Sequence, residues 1–97
     1  MNIIEMEQRA DEVAALMKSL SHRTRLMILC QLVDGEKAVG ELGALLGQAQ
    51  PAISQQLALL RREGLVQTRR DGQSVYYRLP SGPVSRLVSF LYRNFCG

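Results

Sequence analysis

The spacing of apolar residues changes along this chain, and the change confines it to one kind of architecture. From Met6 to Leu60 they recur every three or four residues, the period of an amphipathic helix. After Gly64 come two β-prone runs, Leu65-Val66-Gln67-Thr68-Arg69-Arg70 and Ser74-Val75-Tyr76-Tyr77-Arg78-Leu79. They flank Asp71-Gly72, a strong hairpin signal. Pro80-Ser81-Gly82-Pro83 then breaks the chain, and a helical pattern returns from Val84.

The helical stretch divides at its stop signals. A first helix is predicted over residues 5–18, with Met6, Ala10, Val13, Ala14 and Met17 on one side and Glu7, Asp11 and Glu12 on the other. Ser21 is the expected N-cap of a second helix running to about Val33, with Leu26, Leu29, Cys30 and Val33 as its inner stripe. A third spans Val39 to Leu46 with Leu42, Leu45 and Leu46 turned inward, and Gly47 stops it. Pro51 opens a fourth, residues 51–62, at a position where its missing N–H costs nothing. Ile53, Leu57 and Leu60 form the buried face of that helix. The last helix is expected over residues 84–95, with Leu87, Val88, Leu91 and Phe95 on one side. The fold is therefore mainly α with a β-hairpin, in the order α-α-α-α-β-β-α. Its 97 residues are expected to make a single domain, residues 1–97.

Two short helices joined by a tight turn and followed by a hairpin describe a winged helix-turn-helix. The fourth helix then reads DNA and residues 65–79 form the wing. If Ile53, Leu57 and Leu60 face inward, Gln50, Ser54, Gln55, Ala58 and Arg62 point outward. Glutamine pairs bidentately with adenine in the major groove, and serine serves a base edge or a phosphate. Gln50, Ser54 and Gln55 lead the helix and are the base-contact candidates; taken singly, each fits a solvated helix face more readily than a base contact. Arg61, Arg62, Arg69 and Arg70 are the candidate phosphate contacts, with Gln73 and Ser74 beside them at the hairpin tip.

Charge agrees with this placement. Net charge is +3, yet residues 1–47 carry five basic against seven acidic side chains. Residues 48–78 carry five arginines against Glu63 and Asp71, so positive charge gathers where a phosphate-facing surface needs it. A solvated arginine face is the alternative reading of that charge. No stretch reaches the roughly 20 apolar residues that a bilayer-crossing helix requires. Residues 1–5 show neither a basic start nor an apolar run, so no signal peptide is read and a cytoplasmic protein is expected. Thiols are kept reduced there by default, which argues against a permanent disulfide and leaves room for a switching one.

The segments Leu20-Ser21-His22-Arg23-Thr24-Arg25-Leu26, Val39-Gly40-Glu41-Leu42, Gln50-Pro51-Ala52-Ile53-Ser54-Gln55-Gln56-Leu57 and Leu65-Val66 through Tyr77 resemble the ArsR/SmtB family of bacterial repressors. Arg25-Leu26-Met27-Ile28-Leu29-Cys30 and Leu91-Tyr92-Arg93-Asn94-Phe95-Cys96 resemble its dithiol branch, which responds to sulfide and persulfide. The resemblance implies a homodimer built on the first and last helices, with Met6, Val13, Met17, Leu87, Leu91 and Phe95 at the interface. It also implies a repressor of double-stranded DNA with an inverted-repeat operator. That repressor lets go when a persulfide or related oxidant links Cys30 and Cys96. Two departures from the family pattern stand out. Arg23 follows His22 where proline is usual. Ala49, a poor N-cap, precedes Gln50 where serine is frequent, so either Gln48 supplies part of the cap or the first turn frays.

Read alone, Cys30 fits a small core residue; Cys96, near the end of the sequence, has less reason to be one. Arg93 one turn back favours a Cys96 thiolate, while the helix C-terminus opposes it, and the order of attack stays open. Two other readings remain. A metal-responsive repressor is disfavoured because residues 39–42 hold no cysteine, residues 84–97 hold no His, Asp or Glu, and His22 is the only histidine. No metal or cofactor is expected. A redox-regulated activator that displaces other DNA-bound proteins needs the same reading head. An enzyme is not expected, because there is no Cys-x-x-Cys motif, no Ser/His/Asp set and no glycine-rich phosphate loop.

Overall fold

The computed structural model describes residues 1–96. Its elements are α1 (Ile3–Leu20), α2 (Arg23–Leu32), β1 (Lys37–Ala38), α3 (Val39–Leu46), α4 (Gln50–Arg62), β2 (Gln67–Asp71), β3 (Ser74–Arg78) and α5 (Pro83–Cys96). The five helices and the hairpin come in the expected order, but β1 was not foreseen. It pairs antiparallel with β3, Lys37 opposite Tyr77 and Ala38 opposite Tyr76, giving a three-stranded sheet ordered β1-β3-β2. Lys-Ala carries neither β-branching nor aromatic bulk, so nothing local announces it. The strand is made by the partner it meets.

Helix ends follow capping chemistry. The Asn2 side chain accepts from the N–H groups of Ile4 and Glu5 at 3.0 and 3.3 Å, so α1 starts two residues before the expected Glu5. Ser21 does not cap α2. It ends α1, its hydroxyl donating to the Lys18 carbonyl at 2.6 Å. His22 takes the N-cap position instead, its Nδ1 accepting from Arg25 N–H at 3.4 Å. The Glu41 carboxylate accepts from the Ala38 N–H at 3.1 Å at the start of α3. Gly47 closes that helix with φ +65°, a left-handed conformation that costs glycine little. The wing turns through Gly72-Gln73, since Asp71 still pairs with Ser74. Positive φ at Gly72, the first loop residue, is the type II′ pattern that suits hairpin twist.

The core sits where α2, α3 and α4 meet the base of the wing. Ile53, Leu57 and Leu60 of α4 are fully buried, with Ile28 and Leu29 of α2 and Leu42 of α3. Val88 of α5 joins them, and Tyr77 packs against the cluster from the sheet. Two expectations need correction. The deepest residues of α2 are Ile28, Leu29 and Leu32, whereas Leu26, Cys30 and Val33 are half-buried because that flank of the helix turns to α5. Leu45 is 54% exposed, since α4 and the sheet cover only the Leu42 side of the short α3.

Candidate nucleic-acid interface and dithiol cavity

The reading head is set by one close approach. A side-chain carbon on Gly43 would lie 2.9 Å from the Gln48 carbonyl oxygen, so any larger residue would force α3 and the turn apart. The Gln48 side chain donates to Thr24 Oγ1 at 3.2 Å and does not cap α4. Ala49 occupies the N-cap with no side-chain hydrogen bond, yet Ala52 and Ile53 N–H still reach the Ala49 carbonyl at 3.1 and 3.2 Å. The first turn is therefore formed without a polar cap. Ser54, Gln55, Ala58, Arg61 and Arg62 are all exposed along α4. Gln50 is exposed too, but its side chain lies back along α3: its Nε2 would be 3.4 Å from a side-chain carbon placed on Gly40. Ser54 and Gln55 are thus the forward-facing polar residues of the helix.

Two hydrogen-bond links fasten α4 to the first two helices. Arg25 on α2 donates to the Ser19 carbonyl at 2.9 Å and to Gln56 Oε1 on α4 at 3.4 Å. The Ser19 hydroxyl donates to the Glu63 carboxylate at the end of α4. Among the described residues Ser19 is the one buried polar side chain, and a buried hydroxyl without a partner costs about 1–3 kcal/mol. None of these links was read from the sequence, because their partners are 6 to 44 residues apart.

In the wing, strand alternation separates the two arginines. Arg70 pairs with Val75, exposed near the tip, together with Gln73 and Ser74. Arg69 pairs with Tyr76 and lies over its ring at 4.8 Å. Its Nε donates to both oxygens of Glu36 at 3.1 Å, a second nitrogen also bonds that carboxylate, and Asp71 stands 3.8 Å away. The hydrogen bonds from Arg69 hold the Glu36 carboxyl below its ordinary range; desolvation opposes this, and the charges of Arg69 and Arg78 add to the lowering. The same bonds raise the Arg69 guanidinium. Arg69 is therefore an engaged cation, where the sequence placed a free phosphate contact. Glu36 is its unforeseen partner.

The two thiols line one cavity. It has a volume of about 350 Å³ and opens between α2 and α5. Leu26, Met27 and Cys30 line it from one helix, and Leu91, Tyr92, Phe95 and Cys96 from the other. Cys96 is exposed and Cys30 half-buried, and both are free thiols. Burial pushes the Cys30 thiol up from its ordinary value, and the nearby charge of Cys96 pushes it the same way. Among the described residues no group of three or more His, Cys, Asp and Glu side chains is placed to hold a metal within one chain. Among the described residues no helix is long and apolar enough to cross a membrane.

Residues 22–68, the span from the α2 cap through α4 into the wing, match the family described as "Bacterial regulatory protein, arsR family". The fold superposes on the crystal structure of the transcriptional repressor BigR from Xylella fastidiosa with a TM-score of 0.90, at 49% identity over 100% of this chain and 99% of that one. The chain belongs to the ArsR family. It is 45% identical over 96 residues to the transcriptional activator HlyU of Vibrio cholerae, covering 99% of this chain and 89% of that protein. It also superposes, with a TM-score of 0.80 and 34% identity, on a homodimeric winged helix-turn-helix DNA-binding domain from Mycobacterium bovis, covering 92% of this chain and 82% of that one. An ArsR protein with these relatives is a DNA-binding transcriptional regulator rather than an enzyme.

Proposed function

We propose that this ArsR regulator is a homodimeric repressor that holds an inverted-repeat operator while its thiols are reduced and releases it when Cys30 and Cys96 become linked. The observation that carries the reading is the shared cavity: residues 66 positions apart in sequence line one apolar space between α2 and α5. Ser54 and Gln55 read bases in the major groove, with Gln50 supporting the first turn. Arg61, Arg62 and Arg70 attract phosphates, and Gln73 and Ser74 accompany them at the wing tip. Exposed apolar residues on α1 (Met6, Val13, Met17) and on α5 (Phe95, with half-buried Leu87 and Leu91) support a dimer built on those two helices. A homodimeric relative supports the pairing of two chains.

The chemistry is a two-electron oxidation of the dithiol by a persulfide. Exposed Cys96 meets the reagent first. Its thiolate attacks the outer sulfur of a persulfide RSSH, forming Cys96–S–SH and releasing the thiol RSH. Cys30, whose thiol burial favours in its protonated form, then attacks the Cys96 sulfur and expels HS⁻, which leaves as H₂S with the Cys30 proton. The products are the protein disulfide, RSH and H₂S. Further sulfane sulfur taken up before closure would leave a polysulfide bridge, for which the cavity has room. Linking the thiols draws α2 toward α5. Because Arg25 on α2 holds Gln56 on α4, that movement reaches the recognition helix. A difference of a few kcal/mol between the two states is enough to empty an operator.

The test is intact-mass spectrometry after glutathione persulfide and, separately, hydrogen peroxide, with operator-binding anisotropy on the same samples. Loss of two hydrogens, with or without added sulfur, together with lost DNA binding is the expected result. Normal release by Cys30→Ser or Cys96→Ser would end the proposal. A second reading has specific support: the Vibrio cholerae relative is an activator. The same head displaces other DNA-bound proteins in that case, and transcription from the target promoter with and without the protein separates the two.

A further inference from the structure

The wing carries one arginine free to meet DNA and one that is held away from it, and the residue that holds it lies outside the helix-turn-helix and the hairpin. Glu36 precedes β1, the strand that edges the sheet on the side of β3 opposite β2. Register puts Ala38, Tyr76 and Arg69 in one row across the three strands. Glu36 is two residues before Ala38, so it shares that face. The Arg69 guanidinium reaches from the far strand over the Tyr76 ring and meets the Glu36 carboxylate. The contact straps β2, the wing's outer strand, to the body of the protein. With Asp71 also at 3.8 Å, Arg69 is paired with two carboxylates and brings no unopposed positive charge to the surface. Arg70, on the opposite face, has no hydrogen-bond or ion-pair partner among the described residues.

We infer that Glu36 is a specificity-determining residue of this regulator: it withholds Arg69 from the DNA backbone and fixes the wing, leaving Arg70 as the wing's phosphate contact. The inference rests on the reading of the wing as a DNA contact. Its physical basis is that phosphate attraction is blind to sequence. Each extra contact tightens binding to every duplex and steepens the dependence of log K on log salt by about 0.9. A carboxylate that occupies one arginine therefore lowers binding to non-operator DNA while base contacts keep the operator bound. Exposed pairs of this kind contribute little to folding, so variants at Glu36 retain the fold.

The experiment measures affinity for an operator duplex and for a scrambled duplex over a salt series. It compares the reduced protein with Glu36→Gln, Glu36→Gln/Arg69→Gln and Arg70→Gln. Glu36→Gln is expected to bind the scrambled duplex about tenfold more tightly at low salt, to steepen the salt slope by about 0.9 and to lower the operator-to-scrambled ratio. The double variant is expected to return to the slope of the unaltered protein, which shows that the gain in Glu36→Gln comes through Arg69 and not from the lost negative charge alone. Arg70→Gln is expected to flatten the slope by about 0.9. If Arg70→Gln flattens the slope and Glu36→Gln does not steepen it, the wing touches DNA and the assignment of Glu36 is wrong. If the double variant stays as steep as Glu36→Gln, Arg69 is not the withheld charge and the inference is overturned. If Arg70→Gln changes nothing, the wing does not touch DNA, and the inference falls with that reading.

Discussion

Helices α4 and α5 are nearly equal in length, 13 and 14 residues, and both are amphipathic, but they end differently. The α4 helix hides Ile53, Leu57 and Leu60 completely within its own chain. The α5 helix hides only Val88 and leaves Phe90, Tyr92 and Phe95 more than half exposed, Phe95 at 82%. The reading head is thus finished inside one chain, whereas the half of the molecule that holds α1, α5 and the thiols presents apolar surface that one chain cannot cover. Folding of the head and assembly of the other half should therefore respond to different substitutions.

The largest effect is expected in the finished half. Leu57→Ala should cost about 2–5 kcal/mol of unfolding free energy in urea titration, because a fully buried leucine leaves a cavity. A loss below 1 kcal/mol would mean that α4 is not seated as described. Gln55→Ala should leave the urea midpoint unchanged and weaken operator binding by about 1–3 kcal/mol in anisotropy titration, the value of one bidentate base contact. Intact operator binding would move the reading register elsewhere on α4.

In the open half, Met17→Glu should shift sedimentation from dimer toward monomer while changing monomer stability by no more than about 0.5 kcal/mol, as expected for an exposed site. An unshifted dimer would remove α1 from the interface. The smallest effect concerns the thiols. Because the Cys30 thiol is raised, its protonated form is favoured by the fold. That contribution is present below the ordinary thiol value and is lost as pH rises through the raised one. Alkylation of Cys30 by iodoacetamide, followed by peptide mass spectrometry, should therefore reach half its maximal rate at a higher pH than alkylation of a free thiol. A midpoint at or below the free-thiol value would contradict the burial described for Cys30.

What could be read from the sequence follows the same division. The stripe of Ile53, Leu57 and Leu60 was legible because burial in a single chain enforces helical periodicity. Hairpin and helix stops were legible because Gly47, Gly72 and Pro51 act locally. Features that depend on distant partners were not. Strand β1 exists only through its pairing with β3, and Glu36 finds Arg69 33 residues away across that sheet. Ser21 and His22 are both competent caps, and only the path of the chain between α1 and α2 decides which one opens the second helix. Gln50 looked like a leading base contact because helical phase turns it outward. The small residues Gly40 and Gly43 leave room for its side chain to fold back along α3. The proximity of Cys30 and Cys96 came from family resemblance alone, since no local pattern brings α5 beside α2.

If the chains pair through α1 as proposed above, its sparse attachment would make abundance part of regulation. Eighteen residues of helix, about 27 Å long, are anchored near their C-terminal end by Leu16, Ser19 and Leu20, while Ile3, Ile4 and Met6 stay in water. A dilute population would then be mostly single chains, with the apolar start of the first helix uncovered. Rising synthesis would pair the chains by mass action and cover that helix. Limited proteolysis over a concentration series should show cleavage in α1 receding as the protein becomes more concentrated. Dose and lifetime would then rise together, so that a small change in expression becomes a larger change in operator occupancy.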